Sequence, residues 1–140
     1  DVRDVDIYKV AGLIIQNRRV LASRSHGKDV FIQPGGKIEG TESPIECLQR
    51  ELREEQGIEV DPVDLEFIGT YFAIAAGHEA EQLKLRADVY IVTKYTGELT
   101  PQAEIAENKW INSHDVGTLN LASIFHHDVI PELRRRDYID

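Results

Sequence analysis

The acidic residues Glu51, Glu54 and Glu55 follow one another at the spacing of a helical turn. In a helix, positions i, i+3 and i+4 lie on one side, so we expect these three carboxylates to lie close together. Their like charges destabilise the helix, and the helix dipole disfavours acids in its C-terminal half. A divalent cation that binds oxygen ligands, such as Mg²⁺, would offset both effects. By themselves, the three acids are more typical of a solvated surface than of a metal site.

A glycine-rich turn, Gly35-Gly36-Lys37, precedes the acidic segment. Glycine permits the backbone to approach a ligand closely and to present a carbonyl oxygen or an amide to an ion or a phosphate. Lys37 adds a cation that can bind phosphate oxygens in a substrate. The turn is therefore a second candidate element of a site for metal ions and phosphates.

Local signals delimit the helix that must position the acids. Ser43 is a preferred N-cap residue, Pro44 suits the first helical position, and Glu46 completes a Ser-x-x-Glu capping box. Gly57 suits the left-handed residue that ends a helix. The pattern predicts a helix over Pro44–Gln56. Three apolar side chains form its inward stripe, namely Ile45, Leu48 and Leu52.

The basic side chain of Arg50 lies four residues from both Glu46 and Glu54, and we expect it to pair with them. Its charge then neutralises only part of the acidic face. Glu51 and Glu55 are left without partners on the helix, which favours an external cation as their counter-ion.

The spacing of these residues matches a known motif at every defined position. Residues 36–58 read as glycine, five residues, glutamate, seven residues, Arg-Glu-Leu, one residue, Glu-Glu, one residue and Gly-Ile. At ordinary residue frequencies, such a match is too rare to arise by chance in a chain of this length. The stretch resembles the Nudix box, and the order of elements outside it resembles the rest of a Nudix domain.

The Nudix resemblance implies a fold and a chemistry. Nudix proteins fold as a mixed sheet sandwiched between helices, and they hydrolyse nucleoside diphosphates linked to another moiety, using Mg²⁺ or Mn²⁺. The resemblance implies that Glu51, Glu54 and Glu55 bind the metal, with the backbone carbonyl of Gly35 as a further ligand. One glutamate, with Glu51 as the first candidate, is expected to help deprotonate the attacking water.

Residues around the box receive supporting roles from the same resemblance. Glu42 and Arg50 are expected to brace the loop against the helix. In several relatives, a glutamate shortly before a tryptophan-bearing strand adds a metal ligand, and here Glu104 is the first candidate and Glu107 the second. Arg24 resembles an arginine that contacts phosphate in MutT-type members, although an exposed strand-end arginine is an equally good interpretation.

The remaining sequence predicts strands on both sides of the helix and short helices at the end. Strands are predicted at residues 7–15, 20–23, 30–33, 66–76, 83–93 and 109–111, and helices at residues 113–118 and 123–136. The sequence Pro34-Gly35-Gly36 is expected to end the third strand. This order predicts a mixed α/β (α+β) fold, with residues 1–140 as a single domain, and the Nudix resemblance implies a mixed β-sheet between α-helices.

The composition limits the classes of partner. A net charge of −9 disfavours a nucleic-acid partner, and the basic run Arg134-Arg135-Arg136 is expected to be the solvated end of a helix. No apolar run reaches the roughly 20 residues of a membrane helix, so no membrane partner is expected. The single cysteine, Cys47, excludes an internal disulfide and is expected to pack as a small buried residue. With no signal peptide at the start, these features favour a cytoplasmic protein.

Other residues of chemical interest suit structural interpretations better. His126 and His127 are adjacent and point about 100° apart on a helix, which makes a poor chelate. His26 and His78 lie in expected loops, where either could contact a substrate. Alternating strands place aromatic side chains in the core more often than on a base. The aromatic residues considered are Phe31, Tyr71 and Phe72.

Three functions are compatible with these features. The first is cleavage of a nucleoside triphosphate to the monophosphate and pyrophosphate, which the small size and the MutT-type resemblance favour. The second is hydrolysis of ADP-ribose or of a dinucleoside polyphosphate. The third is a nucleotide-binding sensor without activity, which the complete set of box carboxylates disfavours. The expected partner is a small nucleotide, and a homodimer is the base-rate expectation for assembly.

Overall fold

Apolar residues alternate in orientation along the first long strand, and this alternation sets the two-sided packing of the protein. The computed structural model describes residues 5–75 and 82–140. In strand β1 (Ile7–Gln16), Val10 and Ile14 are buried on one face of the sheet. Ala11 and Leu13 are buried on the other face. A strand buried on both faces requires cover on both sides, because successive side chains point in opposite directions.

Seven strands form a mixed sheet in the described part of the chain. After β1 they are β2 (Arg19–Ser25), β3 (Phe31–Ile32), β4 (Gly35–Lys37), β5 (Leu65–Ile74), β6 (Lys84–Val92) and β7 (Ile105–Ile111). The central order is β3-β2-β1-β6-β5, with β4 also paired to β1 and β7 to β2. Strands β1 and β6 are parallel, and the other pairings are antiparallel.

Helices cover the two faces of this sheet. Helix α1 (Pro44–Gln56) buries Leu48 and Leu52 in a cluster with Val10 and Ile14 of β1. Helix α2 (Ile130–Arg135) buries Leu133 in the opposite cluster, which also contains Leu13. Each fully buried leucine contributes about 2 kcal/mol relative to an exposed one. The predicted mixed sheet between helices is confirmed.

The short turn between β1 and β2 lies between the strands that the sequence predicted at residues 7–15 and 20–23. Asn17 and Arg18 both have positive φ, 51° and 60°, as a tight two-residue hairpin requires. The hairpin brings Gln16 opposite Arg19 and leads the chain directly into β2.

The expected break at residues 34–36 is only partly correct. Strand β3 does end at Ile32, but Gly35–Lys37 forms β4 and pairs with β1. Gly35 lies opposite Ala11, and Gly36 lies opposite Val10. Glycines are poor strand formers in isolation, so this strand depends on the hydrogen bonds that β1 offers.

The C-terminal elements also differ from the prediction. The expected helix at residues 123–136 contains a π-helical segment, Phe125–Val129, that continues directly into α2. Pro131 lies at the start of α2, where its missing amide hydrogen removes a helical hydrogen bond. The expected helix at residues 113–118 is a short 3₁₀ turn, Ser113–Asp115, and a second 3₁₀ turn spans Pro62–Asp64.

Strand β7 is longer than predicted, because it begins at Ile105 and not at residue 109. Its pairing with β2 extends the strand towards the acidic residues that precede it.

None of the helices within residues 5–75 and 82–140 has both the length and the apolar character of a membrane-spanning helix.

Candidate active site

The N-terminus of α1 is held by the predicted capping box. The Ser43 hydroxyl accepts a hydrogen bond from the Glu46 amide at 3.1 Å, and the Glu46 carboxylate accepts one from the Ser43 amide at 2.8 Å. The helix ends at Gly57, which has a left-handed φ of 69°. These caps set the start and the end of α1, and thereby the rotation of its acidic face relative to the sheet.

Arg50 links helix α1 to the loop before it. Its guanidinium donates to both oxygens of Glu42, at 3.0 and 2.8 Å, and to the backbone carbonyl of Lys37 at 3.2 Å. It also donates to Glu51 at 2.9 Å and to Glu54 at 3.2 Å. The hydrogen bonds from Arg50, and a further one from the Glu39 amide, lower the pKa of Glu42 to about 2. These contacts therefore join the loop to the helix.

Two expectations about Arg50 were wrong. It does not pair with Glu46, because the carboxylate of that residue is used in the capping box. Glu51 does have a partner on the helix, since its Oε1 accepts a hydrogen bond from Arg50. A single arginine with five donors can bind three carboxylates, which spacing along one helix does not reveal.

Three carboxylates converge at the C-terminal half of α1. One carboxylate oxygen from each of Glu51, Glu55 and Glu104 lies within 4.8 Å of the others. Glu104 comes from the turn before β7, so the group joins two distant segments of the chain. The side chain of Glu54 is 54% exposed and lies outside this group, paired with Arg50. We call Glu51, Glu55 and Glu104 the carboxylate cluster.

Glu55 is the most deeply buried member of the carboxylate cluster, with 6% of its surface exposed. The Gly35 amide donates a hydrogen bond to its Oε1 at 3.0 Å. Burial raises the pKa of Glu55 to about 8, the Gly35 hydrogen bond opposes this shift, and the charges of Glu51 and Glu104 add to it. Burial also raises the pKa of Glu51, against the lowering effect of Arg50. Burial therefore disfavours the charged forms of both carboxyl groups in the metal-free protein.

Neither position of the Gly35-Gly36 turn has free space for a Cβ atom. Gly35 has a φ of 147°, and a Cβ there would lie 2.1 Å from the carbonyl oxygen of Val10. A Cβ on Gly36 would lie 2.5 Å from the carboxylate carbon of Glu51. The missing side chains therefore allow the turn to contact both β1 and the carboxylate cluster.

The two candidate acids before and within β7 have different surroundings. Glu104 lies in the carboxylate cluster. Glu107 accepts a hydrogen bond from Arg24 Nε at 2.9 Å, where β2 pairs with β7. Arg24 also donates to the backbone carbonyl of Lys28 at 2.9 Å. The structure brings Glu104, and not Glu107, to the cluster.

Similarity to known proteins is consistent with this geometry. The model of the NUDIX domain matches residues 7–133. The chain belongs to the Nudix family. Its Nudix domain is 43% identical over 60 residues to an RNA pyrophosphohydrolase of Halorhodospira halophila (strain DSM 244 / SL1), a match that covers 41% of this chain and 32% of the relative. It is 32% identical over 77 residues to an 8-oxo-dGTP diphosphatase of Proteus vulgaris, covering 55% of this chain and 62% of the relative.

A solved structure extends the likeness to most of the chain. The ORF135 protein of E. coli superposes with a TM-score of 0.72 at 25% identity, and the alignment covers 96% of this chain and 94% of that protein. The Nudix fold therefore includes the strands and helices outside the box as well as the box itself.

A buried polar network anchors the end of α1 to the sheet. Gln56 is fully buried, and its amide donates to Ser23 Oγ at 2.9 Å and to Asn108 Oδ1 at 3.1 Å. Asn108 donates back to Gln56 Oε1 at 2.6 Å. The network joins α1, β2 and β7, and so holds Glu55, the neighbour of Gln56, at a set distance from the segment that carries Glu104. Sequence analysis missed it, because a glutamine and an asparagine on separate elements carry no spacing signal.

Other residues singled out from the sequence lie outside the carboxylate cluster. His126 and His127 lie in the π-helical segment, and their rings stack with centroids 4.2 Å apart and planes inclined by 12°. The His26 amide donates to the Glu104 carbonyl at 2.8 Å, and the His26 side chain is exposed. His78 lies outside the described residues.

Expectations about packed residues were mostly confirmed. Cys47 is buried, and burial raises the pKa of its thiol to about 12, which keeps it protonated. Phe31 is buried and Tyr71 packs partly against the core. The expectation for Phe72 was wrong, because 58% of its surface is exposed on the edge strand β5.

The stability of the metal-free protein is expected to decrease as the pH rises. The folded pKa of Glu55, about 8, lies above its ordinary value of 4.5. Its contribution to stability is therefore complete below pH 4.5 and is lost as the pH rises through about 8. Measured with EDTA present, the melting temperature should fall across this window, and less so in Glu55→Gln. If the wild type and Glu55→Gln show the same pH dependence, the carboxyl of Glu55 is not the group responsible.

Proposed function

We propose that this Nudix protein is a metal-dependent pyrophosphohydrolase that cleaves a nucleoside triphosphate to the monophosphate and pyrophosphate. The observation that carries the proposal is the carboxylate cluster next to the Gly35-Gly36 turn, in a chain that belongs to the Nudix family. Such a cluster supplies only oxygen ligands, which Mg²⁺ and Mn²⁺ prefer in proteins. The burial of Glu55 beside two other acids, which raises its pKa, supports a cation as the group that would stabilise its charged form.

Within this proposal, Glu51, Glu55 and Glu104 bind the metal ions through carboxylate oxygens. Glu54 is a further ligand on the exposed side of α1, and the carbonyl of Gly35 adds a backbone oxygen. A bound divalent ion lowers the pKa of water and neutralises charge on phosphate oxygens. Side chains of the protein would accept the proton from the attacking water and bind the phosphate groups.

Glu51 is our first candidate for the residue that accepts a proton from the attacking water. Its Oε1 is engaged by Arg50. Its Oε2 accepts no hydrogen bond from the described residues, so a lone pair is left for a proton. Arg50 would hold the carboxylate in one orientation while that proton is transferred.

Arg24 and Lys37 are proposed to bind phosphate groups of the substrate. Glu107 binds the Nε of Arg24, so other N–H groups of its guanidinium would contact one phosphate. The ammonium group of Lys37 would contact another phosphate.

The names of the relatives support a phosphoanhydride on a nucleotide as the target. One relative is named for RNA and another for 8-oxo-dGTP, so they do not agree on the size of the substrate. The net charge of −9 disfavours the long phosphate backbone of RNA. We therefore retain the free nucleoside triphosphate as the proposed substrate.

A substrate panel with product identification tests the proposal. The protein would be incubated with Mg²⁺ and, separately, with dGTP, 8-oxo-dGTP, ADP-ribose, a dinucleoside tetraphosphate and a 5′-triphosphorylated RNA oligonucleotide. Release of a monophosphate and pyrophosphate from the triphosphates, at the highest kcat/KM of the panel, supports it. If the protein prefers ADP-ribose, the dinucleoside tetraphosphate or RNA, that compound replaces the nucleoside triphosphate as the proposed substrate. Nucleotide binding without any turnover identifies a sensor instead.

Replacing Glu104 is expected to affect activity more than replacing Glu107. Glu104→Gln removes a charge from the carboxylate cluster and should lower kcat by about 10- to 100-fold, whereas Glu107→Gln only weakens the ion pair with Arg24. The two variants change the same functional group at neighbouring positions, so each is the control for the other. Equal losses of kcat at fixed, saturating Mg²⁺ would contradict the assignment of Glu104 as the metal ligand.

A further inference from the structure

One buried side-chain amide has no partner. Gln33, in the turn between β3 and β4, is only 6% exposed, and its Oε1 accepts no hydrogen bond from residues 5–75 and 82–140. It is the single enclosed side-chain oxygen or nitrogen without a partner in this part of the chain. The Nε2 of Gln33 donates no hydrogen bond to these residues either. An unpaired buried acceptor destabilises a folded protein, so such atoms are rare and point to a missing partner.

The turn that carries Gln33 also contacts the carboxylate cluster. Gln33 precedes Gly35 by two residues, so their Cα atoms lie no more than about 7 Å apart. The Pro34 carbonyl between them accepts a hydrogen bond from the Gly12 amide at 2.9 Å, and the Gly35 amide donates to Glu55 at 3.0 Å. The backbone that positions Gln33 is therefore bonded both to the sheet and to the most buried acid of the cluster.

The Gln33 side chain lies on the α2 side of the sheet. Phe31, two residues earlier, is buried in the apolar cluster against α2, and alternate residues of an extended chain share a face. The register of β4 with β1 gives the same result, because Gly35 lies opposite Ala11 and counting back two residues brings Gln33 beside Leu13. Leu13 is also buried in the cluster against α2. Both neighbouring strands therefore direct Gln33 to this side.

The same side of the sheet carries the arginine that is proposed to bind a substrate phosphate. Arg24 of β2 is the register partner of Phe31, so their side chains leave the paired strands on one face. Glu107 binds the Nε of Arg24 there. The amide of Gln33 thus lies on the face where a phosphate of the substrate is proposed to bind, within a few residues of both Arg24 and the Gly35 turn.

The chemistry of the amide distinguishes between the parts of a nucleotide. An amide offers one acceptor and two donors in one plane. Ionised phosphate groups offer only acceptors, so a phosphate would leave the Oε1 of Gln33 unpaired. The edge of a nucleobase carries donors and acceptors side by side, and glutamine pairs with such an edge through two hydrogen bonds. The free Oε1 and Nε2 of Gln33 therefore match a nucleobase.

We propose that the side-chain amide of Gln33 binds the nucleobase of the substrate through one accepted and one donated hydrogen bond, and so makes the enzyme prefer nucleotides to phosphoanhydrides without a base. This inference rests on the proposed function and deepens it, because it assigns recognition of the nucleoside to a particular side chain. The amide can rotate by 180° and exchange its donor and acceptor, so it pairs with bases that present the two groups in either order.

Kinetics on substrates with and without a base test this assignment. Gln33→Met keeps the length and the unbranched shape of the side chain but removes both hydrogen-bonding groups. It should lower kcat/KM for the best nucleoside triphosphate by about 10- to 100-fold, mainly through KM, because two hydrogen bonds are lost. Hydrolysis of inorganic triphosphate, which has no base, should change by less than about 2-fold. Equal losses on the two substrates, or no loss on the nucleotide, would overturn the assignment.

A binding experiment separates failure of this inference from failure of the proposed function. AMP, GMP, CMP, UMP and ribose 5-phosphate would each be titrated with Mg²⁺ into the wild type and into Gln33→Met by calorimetry. The wild type should bind at least one nucleotide more tightly than ribose 5-phosphate, and the variant should lose most of that difference. This result supports the inference even if no triphosphate is hydrolysed. A difference that Gln33→Met retains, or no difference in the wild type, contradicts it.

Thermal unfolding without nucleotide distinguishes binding of a base from a structural role. Gln33→Met removes an unpaired buried acceptor, so it should melt at a temperature equal to or above that of the wild type. The matched control is Gln49→Met, which removes a hydrogen bond of 2.8 Å from the Gln49 amide to the Val60 carbonyl. This control should melt at a lower temperature and keep its kcat/KM. A lower melting temperature of Gln33→Met would show instead that the amide stabilises the fold.

The affinity for Mn²⁺ tests whether the Oε1 of Gln33 is a metal ligand, since amide oxygens also bind hard cations. Gln33→Met should bind Mn²⁺ as tightly as the wild type in calorimetry without nucleotide. A weaker affinity would make Gln33 part of the metal site and overturn its assignment to the base.

Discussion

Replacing Glu55 with glutamine is expected to lower kcat by roughly three orders of magnitude while leaving the fold intact. Glutamine has the same shape and keeps the Oε1 that accepts a hydrogen bond from the Gly35 amide. It removes the negative charge from the most buried member of the carboxylate cluster. Because Glu55 is the innermost oxygen ligand of the proposed metal site, the loss should appear both in kcat and in the affinity for Mn²⁺, measured by calorimetry.

The matched control for this prediction is Glu66→Gln, which changes an exposed acid on β5. Its kcat and its affinity for Mn²⁺ should equal those of the wild type. If Glu55→Gln keeps near wild-type turnover of the best substrate, Glu55 is not a metal ligand. A variant that binds Mn²⁺ normally but turns over slowly would make Glu55 a proton acceptor, and not a ligand.

Replacing Gly35 with alanine is expected to destabilise the protein by about 3 kcal/mol or more, or to prevent folding. The added Cβ would lie 2.1 Å from the Val10 carbonyl oxygen and 2.8 Å from the Ala11 Cα, both of which are backbone atoms. The φ of 147° is also one that residues with a Cβ rarely adopt. Strand β4 would have to separate from β1, and the amide that binds Glu55 would move with it. Urea unfolding measures the loss of stability.

Two further glycine variants separate the causes of this effect. Gly40→Ala also introduces a Cβ at positive φ, 55°, but in open space, so it should cost only about 1 kcal/mol. Gly36→Ala brings a Cβ to the carboxylate of Glu51, which is the end of a flexible side chain that can rotate away. We expect this variant to fold but to lose activity, because Glu51 is displaced. If Gly35→Ala unfolds at the same urea concentration as Gly40→Ala, the clash with β1 is not significant.

Local signals in the sequence predicted helix α1 correctly at both ends. The serine, proline and glutamate at its start and the glycine at its end act within one or two turns, so they do not depend on the rest of the fold. Strand β4 and the π-helical segment were not predicted, since one depends on pairing with β1 and the other on packing around Phe125 and Val129.

By itself, the sequence determined the Nudix family, the helix that carries Glu51 and Glu55, and the mixed sheet between helices. The helix and the family follow from residue types at set spacings along one continuous segment, and the mixed sheet is what the resemblance to that family implies. Only the tertiary structure decided that Glu104, and not Glu107, joins the carboxylate cluster. The two acids are three residues apart, so the sequence does not distinguish them. The pairing of β2 with β7 places Glu107 opposite Arg24, and the two side chains form an ion pair.

The tertiary structure also decided which charged residues lie next to one another. Arg50 binds Glu42 of the preceding loop as well as Glu51 and Glu54 on the helix, whereas the carboxylate of Glu46 is used in the capping box. Lys9 lies opposite Lys37 because β4 pairs with β1 in one particular register. A shift of one residue would turn Lys9 to the other face of the sheet, and no feature of either strand alone specifies that register.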